Sequence, residues 1–212
     1  MWSVTSLLAA DPTLETEDAK ALLRSEIRRH REGRSNRDRA HAGTAIAESA
    51  AEIVADAGCV ASYASRSSEP STQPLMDHLH DQNIKVMLPM LGPGLSRDWA
   101  YHGPDDQLEV RAPGRPPDPA GPGLGVTALQ RADVVFVPAL AVDRTGIRLG
   151  QGGGWYDRVL EHRRPDAPVV AVVFDDEVSE APLPRQPHDR SVDGILSPSG
   201  WWFVGEQEPA SA

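Results

Sequence analysis

The stretch from Asp133 to Leu140 constrains the fold of this chain more than any other part of the sequence. After its first residue it is nearly all apolar, DVVFVPAL, without the alternation that a strand with one exposed face shows. Such a run is typical of a strand buried on both faces. The sequence therefore predicts a sheet that is covered on both sides by other elements.

Helical patterns and short apolar runs alternate along most of the chain. The helices are predicted to begin near Thr16, near Ser35 (which with Asp38 resembles a capping box), at Pro74 and near Trp155, and to end near Arg31, Ala57, Leu79 and His162. The strands are predicted over residues 59–64, 85–91, 133–140, 169–174 and 192–196, with weaker signals near Trp99 and Leu108. This alternation predicts an α/β fold: a single three-layer domain with a mixed, largely parallel sheet flanked by helices.

The domain boundaries follow from local composition. We expect residues 1–14 and 205–212 to be flexible tails and residues 15–204 to form one domain. Residues 111–125 are rich in proline and glycine and are predicted to be an exposed loop. Trp201, Trp202 and Phe203 are expected to pack the C-terminal end onto the domain.

Charge and composition exclude several function classes. The 212 residues carry 31 acids and 21 lysines or arginines, a net charge of −10, which disfavours general binding of nucleic acid. No apolar run approaches the roughly 20 residues that span a bilayer, so no membrane partner is expected. The N-terminus is a poor signal peptide, and the single cysteine, Cys59, indicates a reducing compartment. We expect a cytoplasmic protein.

A glycine-rich segment follows the buried strand and a predicted turn. Four of the five positions from Gly150 to Gly154 are glycine, and a predicted helix comes next. Glycines allow a backbone to approach a phosphate closely, and a helix start favours an anion. Walker and dinucleotide motifs are excluded, because Trp155 and Tyr156 stand where those motifs need other residues. From composition alone, a flexible turn is an equal alternative.

The residues around this segment carry a family resemblance. Val137-Pro138-Ala139-Leu140-Ala141-Val142-Asp143 and Arg148-Leu149-Gly150-Gln151-Gly152-Gly153-Gly154-Trp155-Tyr156-Asp157-Arg158 closely resemble the signature of 5-formyltetrahydrofolate cyclo-ligase, or methenyltetrahydrofolate synthetase. Further similar blocks are Lys20 to Arg24, Tyr63 with Glu69 to Thr72, and Leu183 to Asp193. The chain departs from the family pattern at Trp155, where tyrosine is usual, and at Glu177, where glutamine is more common.

The resemblance implies a ligase of folate one-carbon metabolism. Members convert 5-formyltetrahydrofolate to 5,10-methenyltetrahydrofolate, with ATP as co-substrate and Mg²⁺ as cofactor, and release ADP and phosphate through a phosphorylated formyl (imidate) intermediate. The implied fold is similar to that of sugar-phosphate isomerases and coenzyme A transferases. The expected partners are the folate and ATP, with no nucleic acid and no membrane, and the chain is expected to be a monomer or a weak homodimer.

The resemblance also implies roles for individual residues. The implied catalytic residues are Lys20 and Arg148. The implied ATP-binding residues are Lys20, Arg24, Arg148, Gly150, Gln151, Gly152, Gly153, Gly154, Trp155 and Tyr156. The implied substrate-binding residues are Ala64, Glu69, Gln151, Gly152, Gly153, Gly154 and Trp155, and the implied ligands of the metal are Asp157 and Asp189.

Other interpretations of these residues stay open in the sequence. Lys20 and Arg24 can be a solvated pair on a helix, Asp157 a helix-start acid and Asp189 a surface loop residue. The acidic run from Asp175 to Glu177 can bind metal or be solvated. At the level of the whole chain, the alternatives are a non-catalytic folate- or nucleotide-binding regulatory protein and an enzyme acting on a phosphosugar.

Overall fold

A seven-stranded sheet forms the centre of the computed structural model of this chain, which describes residues 2–8, 14–110 and 116–205. In chain order the strands are β1 (Cys59–Ala61), β2 (Lys85–Leu91), β3 (Arg97–His102), β4 (Leu108–Glu109), β5 (Asp118–Pro119), β6 (Val134–Pro138), β7 (Ala141–Asp143), β8 (Arg148–Leu149), β9 (Val169–Val172), β10 (Val178–Ser179), β11 (Gly194–Ser197) and β12 (Gly200–Phe203). The α-helices are α1 (Val4–Leu8), α2 (Thr16–Glu32), α3 (Asn36–Ile53), α4 (Gln73–Asp81) and α5 (Trp155–Val159).

The order of the large sheet is β12-β11-β9-β6-β1-β2-β3. The five inner strands run parallel to one another, and the two edge strands are each antiparallel to their neighbour. This confirms the predicted mixed, largely parallel sheet flanked by helices. The likeness to sugar-phosphate isomerases and coenzyme A transferases stays a prediction.

Both faces of the sheet are buried, as the apolar run around β6 predicted. Val60, Val134 and Phe136 pack in one cluster with the buried faces of α3 and α4. Ala61 and Val135, their neighbours along the strands, point to the opposite cluster. That second cluster is completed by the 3₁₀ helices Val126–Arg131 and Leu160–His162.

A third, smaller core lies beside the large sheet. It joins α2 to the three-stranded sheet β10-β7-β8. Leu23 and Ile27 of α2 pack there against Leu149 of β8, at the helical spacing seen in the sequence. This core fixes α2 next to β8, where the glycine-rich segment begins.

The N-terminal segment differs from the expected loose tail. Residues 4–8 form α1, and Val4 is fully buried in the small core. The Trp2 ring stacks on His30 of α2, with 3.7 Å between ring centroids. A five-residue helix has no stability of its own, so tertiary packing holds it, and a local pattern does not reveal it. Residues 1, 9–13 and 206–212 of the predicted tails lie outside the described residues.

Several predicted boundaries shift by a few residues. The capping box of Ser35 and Asp38 is confirmed, but α3 ends at Ile53 instead of near Ala57. The helix expected up to His162 is α-helical to Val159 and then 3₁₀. Part of the loop predicted over 111–125 lies outside the described residues; within the rest, β5 pairs with β4 and buries Pro119. No described helix is both long and apolar enough to cross a membrane.

Candidate functional site

A cavity of about 510 Å³ opens where three parallel strands end. Tyr63 and Ala64 follow β1, Leu91 ends β2 and Pro138 ends β6, and all four line the cavity. From β1 the chain adds β2 on one side and, later, β6 on the other. The cavity thus lies at a point where the strand order reverses, the usual place for a ligand in such sheets.

Every site residue implied by the sequence lines this cavity. The residues brought together are Lys20, Arg24, Ala64, Glu69, Arg148, Gly150, Gln151, Gly152, Gly153, Gly154, Trp155, Tyr156, Asp157 and Asp189. They come from segments far apart in the chain. Their individual roles remain predictions.

Lys20 and Arg24 stand one turn apart on α2 and face the glycine-rich segment. The Lys20 side chain is only 4% exposed, and its Nζ lies 2.5 Å from Oδ2 of Asp189. Arg24 Nε donates to the carbonyl oxygen of Gly150 at 3.0 Å. A buried lysine is not a solvated helix charge, so that alternative is excluded for Lys20.

Asp189 is held ionised by its neighbours. Burial alone would raise the pKa of this carboxyl, but hydrogen bonds from Lys20 and from the backbone N–H of Gln186 outweigh burial and lower it. Asp189 sits in a loop, yet only 14% of its side chain is exposed. It is therefore not a free surface residue.

Arg148 of β8 brings a second buried cation to the cavity. Its Nη2 donates to Oδ1 of Asp157 at 2.8 Å, and the same oxygen accepts the backbone N–H of Arg190. Burial lowers the pKa of Arg148, and Asp157 opposes this shift. Arg148 Nε is buried without a hydrogen-bond partner among the described residues. Unused donor capacity beside the cavity suits an anionic ligand.

The carboxylates of Asp157 and Asp189 fit one kind of metal. Within the described residues there is no group of three or more His, Cys, Asp or Glu side chains that can ligate a metal together. Mg²⁺ does not need such a cage, because it commonly takes one or two carboxylates and completes its shell with water and substrate phosphates. The donor set therefore fits a Mg²⁺ that binds together with a phosphate ligand.

The glycine-rich segment is tied to α2. Besides the bond from Arg24 to Gly150, Arg28 donates to the backbone oxygen of Gln151 at 2.9 Å. Gly152 has φ +99° and Gly154 has φ +59°, a region that other residues rarely adopt. These anchors argue against the freely flexible turn that composition alone allowed.

Glu69 supplies a buried carboxylate to the cavity. It is 5% exposed. Its Oε2 accepts a hydrogen bond from the backbone N–H of Arg66 at 2.9 Å, and its Oε1 accepts one from Nε2 of Gln151 at 3.2 Å. It lies in the loop before α4 and is not part of the first turn of that helix. The nearby Tyr63 hydroxyl is buried without a described partner. Burial, reinforced by Glu69, raises the pKa of that phenol.

Trp155 and Tyr156 both line the cavity and pack on the core of the large sheet. The Trp155 ring meets Trp99 edge-on, at 5.2 Å between centroids, and meets Tyr156 at 4.8 Å. The aromatic surface is thus fixed before any ligand arrives. Packing on the core does not remove these rings from the cavity wall, and their contact with a ligand stays a prediction.

Some residues at the site were missed from the sequence. Arg28 contacts Gln151, and Arg66 and the Pro89–Leu91 segment line the cavity. A signal existed for Arg28, because it continues the four-residue spacing of Lys20 and Arg24 along α2. His188 lies in a loop and is 70% exposed at the cavity.

A model of the 5-formyltetrahydrofolate cyclo-ligase family matches residues 16–198. The chain belongs to this family. A 5-formyltetrahydrofolate cyclo-ligase of Mycolicibacterium smegmatis is 39% identical over 144 residues, covering 66% of this chain and 73% of the relative. That of Escherichia coli K12 is 32% identical over 147 residues, covering 68% and 79%. Membership confirms the predicted family and the class of enzyme, a ligase.

Two solved structures have a similar fold. A 5,10-methenyltetrahydrofolate synthetase of Aquifex aeolicus superposes with a TM-score of 0.70 at 24% identity, covering 91% of this chain and 96% of that one. The synthetase of Mycoplasma pneumoniae gives 0.64 at 16% identity, covering 87% and 99%. At these identities the likeness establishes the fold alone.

Proposed function

We propose that this chain converts 5-formyltetrahydrofolate to 5,10-methenyltetrahydrofolate in a reaction that consumes ATP and requires Mg²⁺. One observation carries the proposal: a single cavity is lined by the buried cations Lys20 and Arg148 and by the buried carboxylate of Glu69. The cations suit phosphate groups, and the carboxylate suits the amino and ring N–H groups of a pterin. Family membership supports the reaction.

The chemistry requires activation of a poor leaving group. The formyl oxygen of the folate attacks the γ-phosphorus of ATP, and ADP leaves. N10 then attacks the formyl carbon of the imidate phosphate, loses its proton, and the ring closes as phosphate departs. An amide oxygen does not leave readily, whereas phosphate does.

The residues of this chain would position the reactants and offset charge. Lys20, Arg24 and Arg148 would bind and orient the phosphates, since phosphoryl transfer depends mainly on positioning and electrostatic stabilisation. Removing one such contact costs on the order of 2–4 kcal/mol in the transition state. Glu69 and Ala64 would hold the pterin, with Trp155 and Tyr156 providing an aromatic surface.

Asp157 and Asp189 would hold Mg²⁺ together with the nucleotide. The ion would supply positive charge to the phosphate oxygens during transfer. In the structure each carboxylate forms an ion pair with a cation of the site, Asp157 with Arg148 and Asp189 with Lys20. These ion pairs hold both carboxylates at the wall of the cavity.

The test is the ultraviolet absorbance of the methenyl product, followed with purified protein, 5-formyltetrahydrofolate, Mg²⁺ and ATP. We expect product with ATP and none without it, and we expect Lys20→Met to abolish most of the rate. Folate binding without ATP-dependent turnover would instead favour a regulatory binding protein. ATP hydrolysis that does not depend on folate would favour a different substrate, such as a phosphosugar.

A further inference from the structure

We propose that Arg28 is a positioning residue for this reaction. It fixes the side chain of Gln151, and Gln151 in turn holds the Glu69 carboxylate in the orientation that receives the folate. Arg28 is not among the residues that the sequence assigned to the site. The inference rests on the proposed function, and the test below separates the two.

Arg28 contacts Gln151 through three hydrogen bonds. Arg28 Nε and Nη2 both donate to the side-chain oxygen of Gln151, at 3.1 and 2.9 Å. Nη2 also donates to the backbone oxygen of Gln151 at 2.9 Å. One planar guanidinium therefore holds both the backbone and the side chain of the same residue.

The two neighbours of the Gln151 side-chain amide fix its orientation. A guanidinium offers only donors, so the amide oxygen must face Arg28 and the NH₂ group must point away from it. That NH₂ group lies 3.2 Å from Oε1 of Glu69, which only accepts. If the amide were reversed, its NH₂ group would face the donors of Arg28, and its oxygen would face the Glu69 carboxylate. Only one orientation satisfies both neighbours.

Gln151 in turn restrains the carboxylate of Glu69. Gln151 holds one carboxylate oxygen, and the backbone N–H of Arg66 holds the other at 2.9 Å. A carboxylate bonded at both oxygens cannot rotate freely. Because it has about four acceptor positions, it keeps positions free for donors of a ligand. Arg28 thus acts on the folate through two residues.

The glycine-rich segment has a separate anchor. Arg24 holds the carbonyl oxygen of Gly150 at 3.0 Å, independently of Arg28. Loss of the Arg28 guanidinium should therefore disturb the folate contacts more than the nucleotide contacts. Arg28 is exposed, so its electrostatic contribution is small and its effect comes from geometry.

The kinetic test is a double-mutant cycle of Arg28→Met and Gln151→Ala. We expect each single variant to raise the KM for 5-formyltetrahydrofolate by about three- to tenfold, and we expect Arg28→Met, whose residue does not line the cavity, to leave the KM for ATP nearly unchanged. The double variant should be no worse than Gln151→Ala alone, because Arg28 acts through Gln151. Arg28→Lys should recover only part of the loss, since an ammonium lacks the planar fork.

Arg29→Met is the matched control. Arg29 is 73% exposed and pairs with Glu26 on the same helix, away from Gln151, so this variant should retain wild-type kinetics. Additive effects of Arg28→Met and Gln151→Ala would overturn the proposal. A parallel rise in the KM for ATP of Arg28→Met would overturn it as well, since Arg28 would then be a phosphate-binding cation.

A second measurement does not depend on turnover. The side-chain amide of Gln151 can be identified in a ¹⁵N correlation spectrum as the NH₂ signal that is missing from Gln151→Ala. We expect Arg28→Met to shift this signal towards that of a free amide and to speed its hydrogen exchange. An unchanged signal in a folded Arg28→Met protein would overturn the positioning role. If the wild type forms no methenyl product, the proposed reaction fails, while this spectrum still decides whether Arg28 fixes the amide.

Discussion

Lys20 and Asp189 lie 169 residues apart in the chain and form an ion pair with 2.5 Å between Nζ and Oδ2. The pair joins α2 to the loop that precedes β11, at the wall of the cavity. The proposed complex of Mg²⁺ with the nucleotide would bring a cation for Asp189 and an anion for Lys20 together. The two charges can therefore change partners without either being left unpaired in a largely buried place.

Replacement of Asp189 by Asn should weaken the response to Mg²⁺. The amide removes one negative charge from a proposed ligand while keeping its size, so the free Mg²⁺ needed for half-maximal rate should rise about tenfold. Initial rates against free Mg²⁺ at saturating ATP measure this. Asp166→Asn is the control, because Asp166 is 72% exposed, pairs with Arg164 and is not part of the cavity lining. An unchanged Mg²⁺ response would leave Asp189 as the partner of Lys20 alone.

Replacement of Arg148 by Ala should remove most of the activity. Loss of a buried phosphate-binding cation is expected to lower kcat/KM by about 30- to 1000-fold. Steady-state kinetics and circular dichroism of the same sample separate lost chemistry from lost structure. The control is Arg158→Ala, since Arg158 is an exposed arginine of α5. Near-wild-type turnover in folded Arg148→Ala would contradict the assigned role.

The ion pair of Arg31 and Glu177 should matter for stability. Both side chains are fully buried, with two 2.7 Å bonds between them, and Arg31 also donates to the carbonyl oxygen of Ala139. Arg31→Met strands a buried carboxylate and should lower the free energy of unfolding by about 3–5 kcal/mol. Urea unfolding measures the change.

The double variant Arg31→Met/Glu177→Leu is the matched comparison for that pair. It removes both charges at once, so it should regain most of the stability that the single variant loses. If the double variant is as unstable as Arg31→Met, the loss comes from packing and not from an unpaired charge.

Asp133 should contribute a stability that disappears in acid. Burial alone would raise its pKa, but bonds from the backbone N–H groups of Gly58 and Cys59 and from Arg164 outweigh burial and lower it. A carboxyl with a lower pKa in the folded state stabilises the fold above its unfolded pKa, about 3.9, and loses that contribution as the pH falls through the folded value. Asp133→Asn should therefore cost about 1–2 kcal/mol near neutral pH.

The pH series provides the check on Asp133. The gap between the unfolding free energies of wild type and Asp133→Asn should close below about pH 4. A gap of constant size down to low pH would mean that the charge of Asp133 is irrelevant and that only the shape of its side chain matters.

The sequence predicted the five inner strands of the large sheet, and the family resemblance named many of the residues that line the cavity but not Arg66 or the Pro89–Leu91 segment. Strands such as β2, Lys85–Leu91, are runs whose burial leaves a local signature, and the predicted bounds of this strand agree with the structure. The glycine-rich segment is contiguous, so its approach to Arg24 follows once one helix and one strand are adjacent. Local patterns carry this kind of information.

Long-range pairing carries little local signal. Glu177 lies in an acidic run with Asp175 and Asp176, and from the sequence the run was expected to bind metal or to be solvated. In the structure, Glu177 is fully buried against Arg31, and Asp176 pairs with His30 and Arg34. Nothing in the order of three acids distinguishes the one that points inward. The docking of α1 was missed for the same reason.

The cavity lies between the small core and one core of the large sheet. Lys20, Arg24 and Arg148 stand on α2 and β8, whose apolar side chains form part of the small core, whereas Ala64 and Tyr63 belong to a core of the large sheet. Proteins open locally in cooperative units that differ in free energy. The two sides of the cavity are therefore held by different cores, so loosening the small core should release the side with Lys20, Arg24 and Arg148 before the side with Tyr63 and Ala64.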